Sequence, residues 1–185
     1  MYRIQCLFLS GILLAFSTAF HSDPVPAKAS PMTAAEKNLY QKIMAYRKEL
    51  GLPEIKISPS LNKVAQLHAI ELLAEPPEGK CNLHSWTGQF GEKKCCYTDD
   101  HREAACMWEK PAQFTSYRAT GFEIAAYNTS KTADFLQDWK ESPGHHAVII
   151  NSENWKKLNW KAIGIGIRHP YAVVWFGTEE DKEKP

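Results

Sequence analysis

The segment Trp139-Lys-Glu-Ser-Pro-Gly-His145 decides how the rest of the sequence is interpreted. It begins inside a pattern with apolar residues one turn apart, Phe135 and Trp139, which predicts a short helix over residues 132–141. Beyond that helix an acid, Glu141, stands close to two imidazoles, His145 and His146. Imidazoles with a carboxylate nearby suit divalent metal binding or general acid–base chemistry. The segment is therefore a candidate site at the end of a helix.

Three apolar stretches, one before this segment and two after it, predict β-strands. Residues 163–167 alternate isoleucine with glycine, the period of two that is typical of a strand. Tyr171-Ala-Val-Val-Trp-Phe176 follows at once and is predicted to be its antiparallel partner. Gly121-Phe-Glu-Ile-Ala-Ala-Tyr127 predicts a third strand. Its acid, Glu123, is costly to bury unless it is paired or faces a cavity.

Two helices are predicted before these strands. Thr33-Ala-Ala-Glu36 has the pattern of a capping box, and apolar residues follow it at helical spacing until Gly51. Ser58-Pro59 begins a second helix, whose apolar side carries His68. We expect His68 to be a hydrogen-bonded core residue, as most histidines on an apolar helix face are. Helices first and strands later predict an α+β domain in which helices cover a sheet.

Four cysteines, Cys81, Cys95, Cys96 and Cys106, lie in residues 78–120, which show no periodicity. An even number of cysteines is typical of an exported, oxidised domain, so we predict two disulfides that staple this loop. A bond between the two adjacent cysteines is disfavoured because it needs a strained ring, and the other two pairings remain open. A zinc site of four thiolates is the alternative, but it lacks paired Cys-x-x-Cys spacing.

Residues 1–19 have the pattern of a secretory signal peptide, with Arg3 before an apolar run and small residues up to Ala19. Cleavage near Ala19 removes the fifth cysteine, Cys6, and leaves the even number above. An uncleaved anchor is the alternative, but the run is shorter than the ~20 residues that a spanning helix needs. We therefore predict a secreted or periplasmic protein with no transmembrane span in the mature chain.

Length and charge limit the number of domains and the class of partner. The 185 residues suit one domain, with a flexible leader at 20–31, the folded domain at 32–178 and a charged tail at 179–185. Lysine and arginine number 22 against 21 acidic residues, and loss of Arg3 leaves 21 of each. No basic excess is left to neutralise phosphates, so nucleic acid is excluded as the partner.

Taken in order, these segments resemble the CAP superfamily (cysteine-rich secretory proteins, antigen 5 and plant pathogenesis-related 1 proteins), in particular its bacterial SCP-like branch. The resemblance covers about residues 34–177, and the Trp139–His145 segment is its most specific part. His84-Ser85, Gly121-Phe-Glu-Ile-Ala and Ala162-Ile-Gly-Ile-Gly166 support it. The resemblance implies an α-β-α sandwich, with a central, mainly antiparallel sheet flanked by helices.

The resemblance also implies a central cleft lined by two histidines and two acids. The histidines fall on His84 and His145, the strand acid on Glu123, and the nearest counterpart of the second acid is Glu141. In some members this cleft binds zinc or another divalent ion, so we expect Zn²⁺ or a similar cation here. Glu123 comes one residue later after the glycine than the family pattern has it, which would turn it to the other face unless the preceding loop is longer. Its spacing to Trp139 favours the longer loop.

Three functions remain open for such a chain. The first is a secreted binding or effector module for a protein, lipid or carbohydrate ligand outside the cytoplasm. The second is a metal-assisted hydrolase with His84, Glu123 and His145 as candidate catalytic residues. The third is a structural envelope protein whose cleft is a relic. We favour the first, because the sequence has neither a His-Glu-x-x-His motif nor a nucleophile elbow.

Overall fold

A computed structural model describes residues 30–184 of the chain. The predicted signal peptide, most of the predicted leader and Pro185 lie outside the described residues. The last residues of the leader are described, and the backbone of Ser30 exchanges two hydrogen bonds with the side chain of Gln66. No helix in residues 30–184 is both long and apolar enough to cross a membrane.

The described chain contains both helices and strands, and the longest two helices come before the three long strands. The elements are α1 (Ala34–Glu49), β1 (Lys56–Ile57), α2 (Pro59–Ala74), α3 (Ala104–Trp108), α4 (Lys110–Phe114), β2 (Gly121–Tyr127), α5 (Phe135–Glu141), α6 (Pro143–Ile149), β3 (Ala162–Arg168) and β4 (Tyr171–Gly177). A short 3-10 helix, Glu153–Trp155, lies between α6 and β3. The capping box at Thr33 is confirmed, since its hydroxyl and the Glu36 carboxylate each accept a hydrogen bond from the other residue's backbone amide.

The four strands form one sheet in the order β1-β3-β4-β2. The predicted hairpin of β3 and β4 is confirmed, β2 pairs antiparallel with β4, and only the short β1 runs parallel to its neighbour. Helices α1, α5 and α6 bury apolar side chains on one face of the sheet. Helix α2 and the loop after it cover the other face. The α+β class and the three-layer sandwich are therefore confirmed.

Helix α2 approaches the sheet closely because β3 presents two glycines to it. A Cβ atom on Gly164 would lie 2.1 Å from the backbone carbon of Leu61, and one on Gly166 would lie 2.2 Å from the carbonyl oxygen of Ala65. Two residues along a strand span roughly 6.8 Å and four along a helix span about 6 Å, so the two contacts repeat in register. The helix backbone thus rests on the strand backbone.

The loop between α2 and β2 is held by two disulfides, Cys81–Cys96 and Cys95–Cys106. The prediction of two disulfides is confirmed, and the four-thiolate zinc alternative is excluded. An isolated antiparallel bridge joins Trp86 to Cys95. The loop also contains the short helices α3 and α4, which the sequence did not predict because neither completes two turns of amphipathic pattern.

The predicted C-terminal tail is tied to the start of α2. The Asp181 carboxylate accepts hydrogen bonds from the Ser58 hydroxyl (2.5 Å), the Ser60 amide (2.8 Å) and the Ser60 hydroxyl (3.0 Å). It therefore binds at the N-terminus of the helix, where a negative charge is stabilising.

Replacing Asp181 by alanine is expected to lower the free energy of unfolding by about 1–2 kcal/mol, because an unpaired helix amide and two serine hydroxyls lose their acceptor. Urea unfolding measures the loss. Glu180→Ala is the control. Among the described residues the Glu180 carboxylate bonds only to Lys56, in an exposed ion pair, so its removal should leave stability unchanged within error. Equal stability of the two variants would show that the Asp181 contacts contribute nothing.

Candidate functional site

One buried carboxylate joins two histidines at the centre of the site. Glu123 lies on β2 and is 5% exposed. Its Oε2 is 2.6 Å from Nδ1 of His68 on α2, and its Oε1 is 2.8 Å from Nδ1 of His84 in the disulfide-bonded loop. Despite its altered spacing from Gly121, Glu123 therefore faces the histidines and not the opposite side of the sheet.

His68 and Glu123 form a buried ion pair. The Nε2 atom of His68 is 3.0 Å from the carbonyl oxygen of Ser85, which can only accept, so Nε2 carries a proton. Burial alone would lower the pKa of His68, but the charge and hydrogen bond of Glu123 outweigh it and raise the pKa above its ordinary value. Burial would raise the pKa of Glu123, and the charge of His68 together with both imidazole hydrogen bonds holds it below its ordinary value. Both directions favour an imidazolium paired with a carboxylate.

Trp86 adds a stacking contact to this pair. Its indole ring lies against the His68 ring with centroids 4.0 Å apart and planes 15° apart. An aromatic face attracts a cation, so the stack favours the protonated form of His68. The expectation that His68 is a buried, hydrogen-bonded residue therefore agrees with the structure.

His84 is held in one orientation by the loop and by Glu123. Its backbone amide donates to the side chain of Asn82 (3.1 Å), whose own backbone amide donates to the carbonyl of Tyr97. Because a carboxylate only accepts, the proton between His84 and Glu123 lies on Nδ1 of His84. In the neutral ring Nε2 is then an acceptor, and no other described residue occupies it.

His145 lies opposite His84 in the first turn of α6. The two ring centroids are 6.3 Å apart and the rings are inclined by 63°. Burial and the nearby His84 lower the pKa of His145 to about 4, which leaves the ring neutral at physiological pH. No hydrogen bond within residues 30–184 occupies either of its nitrogens. The structure thus brings together two imidazoles with free acceptor nitrogens.

The low pKa of His145 predicts a steep loss of stability in acid. The unfolded chain binds a proton at this residue below about pH 6.5, whereas the folded chain binds it only near pH 4, so unfolding is favoured as the pH falls through that window. Over the full window the wild-type chain should lose up to about 3 kcal/mol that the His145→Gln variant keeps. Urea unfolding at several pH values measures the difference. The exposed His169 serves as control, and a His169→Gln variant should follow the wild-type curve.

Glu141 and His146, the other two candidates near the end of α5, lie apart from this group. The Glu141 side chain is exposed at the end of α5 and accepts a hydrogen bond from Gln137, four residues earlier on the same helix (2.8 Å). It shares none of the contacts that join Glu123 to the histidines. His146 bonds to the Tyr46 hydroxyl on α1 through Nε2 (2.8 Å). The role of Glu141 as a lining acid stays a prediction.

Too few donors converge here for a closed metal site. Glu123 uses both carboxylate oxygens on imidazoles, so it orients His84 in the way that a carboxylate behind a metal-ligating histidine orients that ring. That leaves two nitrogens, on His84 and His145, whereas structural zinc sites take four protein ligands. Within the described residues, no group of three or more histidine, cysteine, aspartate or glutamate side chains is arranged to hold a metal.

Two residues near His84, Tyr97 and Ser85, make contacts in the site that were not predicted from the sequence. The Tyr97 ring meets the His84 ring edge to face, with centroids 5.2 Å apart, and its hydroxyl lies 3.0 Å from Nδ1 of the exposed His101. Burial and the charge of Glu123 raise the pKa of Tyr97. Ser85 supplies the carbonyl that fixes His68. Both residues come from the segment without periodicity, where the cysteines and the His84-Ser85 pair were the available signals.

Comparison with solved structures shows the same fold in bacterial surface and extracellular proteins. An outer surface protein from Borrelia burgdorferi is 20% identical, with a TM-score of 0.54 over 83% of this chain and 99% of that one. A cysteine-rich secretory protein from Staphylococcus aureus is 17% identical over 78% of this chain and 38% of that one, with a TM-score of 0.51. An extracellular protein containing an SCP domain from Bacillus anthracis is 15% identical over 82% and 45%, also with a TM-score of 0.51.

No curated protein matches the chain. The model of the cysteine-rich secretory protein family, CAP, matches residues 40–156, which is more than half of the sequence. This range contains His68, His84, Glu123, His145 and both disulfides, and it ends before β3 and β4. On this match the chain belongs to the cysteine-rich secretory protein (CAP) family.

Proposed function

We propose that this protein is a binding module that works outside the cytoplasm and that its binding site is the cleft between His84 and His145. The observation that carries the proposal is a pair of facing imidazoles, each with a nitrogen that no described residue bonds, one of them oriented by a buried carboxylate. Polar groups held in a fixed position without a partner are typical of a ligand site. The predicted signal peptide, the two disulfides and the surface or extracellular relatives support the location.

A divalent cation is the first ligand to test. His84 and His145 would hold the ion, and water or a bound partner would supply the remaining ligands, because the chain offers two nitrogens. When bound, the ion supplies Lewis acidity and an attachment point for an acidic group of a partner. The protein's own residues orient His84 through Glu123 and His68 and keep His145 neutral. Such a site exchanges its ion readily, unlike a structural zinc site.

The experiment is a titration of the chelator-treated, oxidised protein with Zn²⁺, monitored by isothermal titration calorimetry. We expect one equivalent to bind to the wild-type chain and none to bind to His84→Ala or to His145→Ala. His169→Gln should bind like the wild type, because that histidine is exposed and hydrogen-bonded to Ser130. Retention of one equivalent by both alanine variants, or no binding by the wild type, contradicts the cation as ligand.

A metal-assisted hydrolase using the same cleft is the second candidate. It is favoured by one observation: Glu123 fixes the His84 tautomer so that Nε2 keeps its lone pair, the form in which an imidazole would hold a metal ion that activates a water. Turnover of peptide or ester substrates by the zinc-loaded protein, lost in Glu123→Gln, would support it. Zinc binding without any turnover favours the binding module.

A further inference from the structure

A cavity lies between the end of α2 and the disulfide-bonded loop. Its volume is about 360 Å³, within the range of roughly 300–1,000 Å³ for small-molecule sites. Glu71, Glu75, Glu78, Trp86, Thr87 and Lys94 are among the residues that line it. Neither the proposed function nor the family resemblance uses this cavity.

A buried carboxylate with one free oxygen stands in the wall of the cavity. Glu71 is 1% exposed, and its Oε1 accepts hydrogen bonds from the amide (2.7 Å) and the hydroxyl of Thr87. Its Oε2 is buried and has no hydrogen-bond partner among the described residues. A carboxylate oxygen left without a donor costs free energy, so this atom is a place where a ligand's donor would be stabilised.

The charged side chains near Glu71 form their hydrogen bonds with groups other than Glu71. Lys110 is buried, and its ammonium group donates to the carbonyl of Lys93. Glu92 accepts hydrogen bonds from the amides of Gly88 (2.7 Å) and Phe90 (3.0 Å). Burial raises the pKa of Glu71 in spite of the hydrogen bonds from Thr87 and the charge of His68, whose own hydrogen bonds go to Glu123 and Ser85. The free oxygen therefore has no hydrogen-bonded cation of its own within residues 30–184.

The rest of the lining indicates the chemistry of the ligand. Glu75 and Glu78 add two carboxylates against the single ammonium of Lys94, so the cavity is acidic. Leucine, two prolines and the Trp86 indole form an apolar wall against which an alkyl stem can pack. The buried Nε1 of Trp86 also has no partner in the described chain and could donate to a carbonyl.

We propose that this cavity binds the cationic side chain of a basic peptide, with the ammonium or guanidinium group on Glu71 Oε2 and a peptide carbonyl near Trp86 Nε1. A lysine or arginine side chain combines an apolar stem with a cationic end, which matches the apolar wall and the free carboxylate oxygen. This site is separate from the His84–His145 cleft and does not depend on the function proposed for it.

The test uses the full oxidised protein and two small probes, Nα-acetyl-lysine-N-methylamide and its norleucine counterpart, which lacks the ammonium group. In ¹H–¹⁵N spectra the indole resonance of Trp86 should shift saturably with the lysine probe. The indole of Trp175, equally buried and without a partner in the described chain, should not move and is an internal control. We expect the norleucine probe to bind at least tenfold more weakly.

Glu71→Gln should weaken binding of the lysine probe at least tenfold, since the amide keeps an acceptor for Thr87 but loses the charge. Glu49→Gln, at an exposed position on α1, should bind like the wild type. Should Glu71→Gln fail to fold, the rim variant with both Glu75→Gln and Glu78→Gln should still bind severalfold more weakly. Equal binding of the two probes, unchanged binding by the Glu71 or rim variant, or no Trp86 shift in the wild type overturns the proposal.

Discussion

Replacing Glu123 by glutamine is expected to lower the free energy of unfolding by about 3–5 kcal/mol near pH 5.5, the usual result of removing one partner of a buried ion pair. The variant leaves the fully buried His68 with a proton on Nε2 and no charge to balance a second proton on Nδ1. Glutamine keeps one acceptor oxygen, so it can accept a hydrogen bond from only one of the two imidazoles that Glu123 joins. Urea unfolding followed by far-ultraviolet circular dichroism measures the loss.

The pH dependence of this loss identifies the pair. Glu123 has a lowered pKa, so its contribution is present above about pH 4.5 and is lost as the pH falls. His68 has a raised pKa, so its contribution is complete below about pH 6.5 and is lost as the pH rises through the folded value. The difference between wild type and variant should therefore be largest between these two values.

Glu141→Gln is the matched control for that experiment. It makes the same chemical change at an exposed position whose carboxylate contacts only Gln137 among the described residues, so stability should not change within error. A flat pH dependence of the Glu123→Gln difference would show that His68 and Glu123 are not charged together. Equal losses in the two variants would show that the buried acid has no special role.

Replacing Gly166 by alanine is expected to lower the free energy of unfolding by about 3 kcal/mol or more, or to prevent folding. Overpacking a core typically costs about 1–3 kcal/mol when the neighbouring side chains can move, and a helix backbone moves less easily than a side chain. The new methyl group would lie 2.2 Å from the Ala65 carbonyl oxygen and 2.3 Å from its carbon, both in the backbone of α2. Thermal and urea unfolding measure the loss.

Gly144→Ala provides the control for Gly166→Ala. No atom lies within 4 Å of the position that a Cβ on Gly144 would occupy, and the residue is in α6, where alanine is the better helix former. This variant should be as stable as the wild type or slightly more stable. If Gly166→Ala were as stable as Gly144→Ala, the close contact of α2 with β3 would be wrong.

The regular parts of the fold were predictable because their patterns are local. The capping box at Thr33 fixes the start of α1, and the alternation of isoleucine with glycine fixes β3 and its pairing with β4. Helix α6 was missed because it follows α5 almost at once, with Ser142 as both C-cap and N-cap, so the proline and glycine there indicate only a break. The local sequence pattern does not show that a second helix begins directly after the first.

The candidate site was predictable only in part. The family resemblance supplied His84, Glu123 and His145, and the structure places these three side chains together. It could not supply the pairing of His68 with Glu123, because the two are 55 residues apart and meet only through the packing of α2 on the sheet. The disulfide pairing was open for a similar reason, since spacing does not state which sulfur atoms approach each other.

The adjacent cysteines have a consequence for where the site can exist. Cys95 is bonded to Cys106, and its neighbour Cys96 is bonded to Cys81. His84 lies within the loop that the Cys81–Cys96 disulfide closes. In a reducing compartment these bonds do not form, and the chain that positions His84 regains its conformational entropy. Assembly of the cleft therefore requires an oxidising compartment, and protein kept under reducing conditions carries an incomplete site.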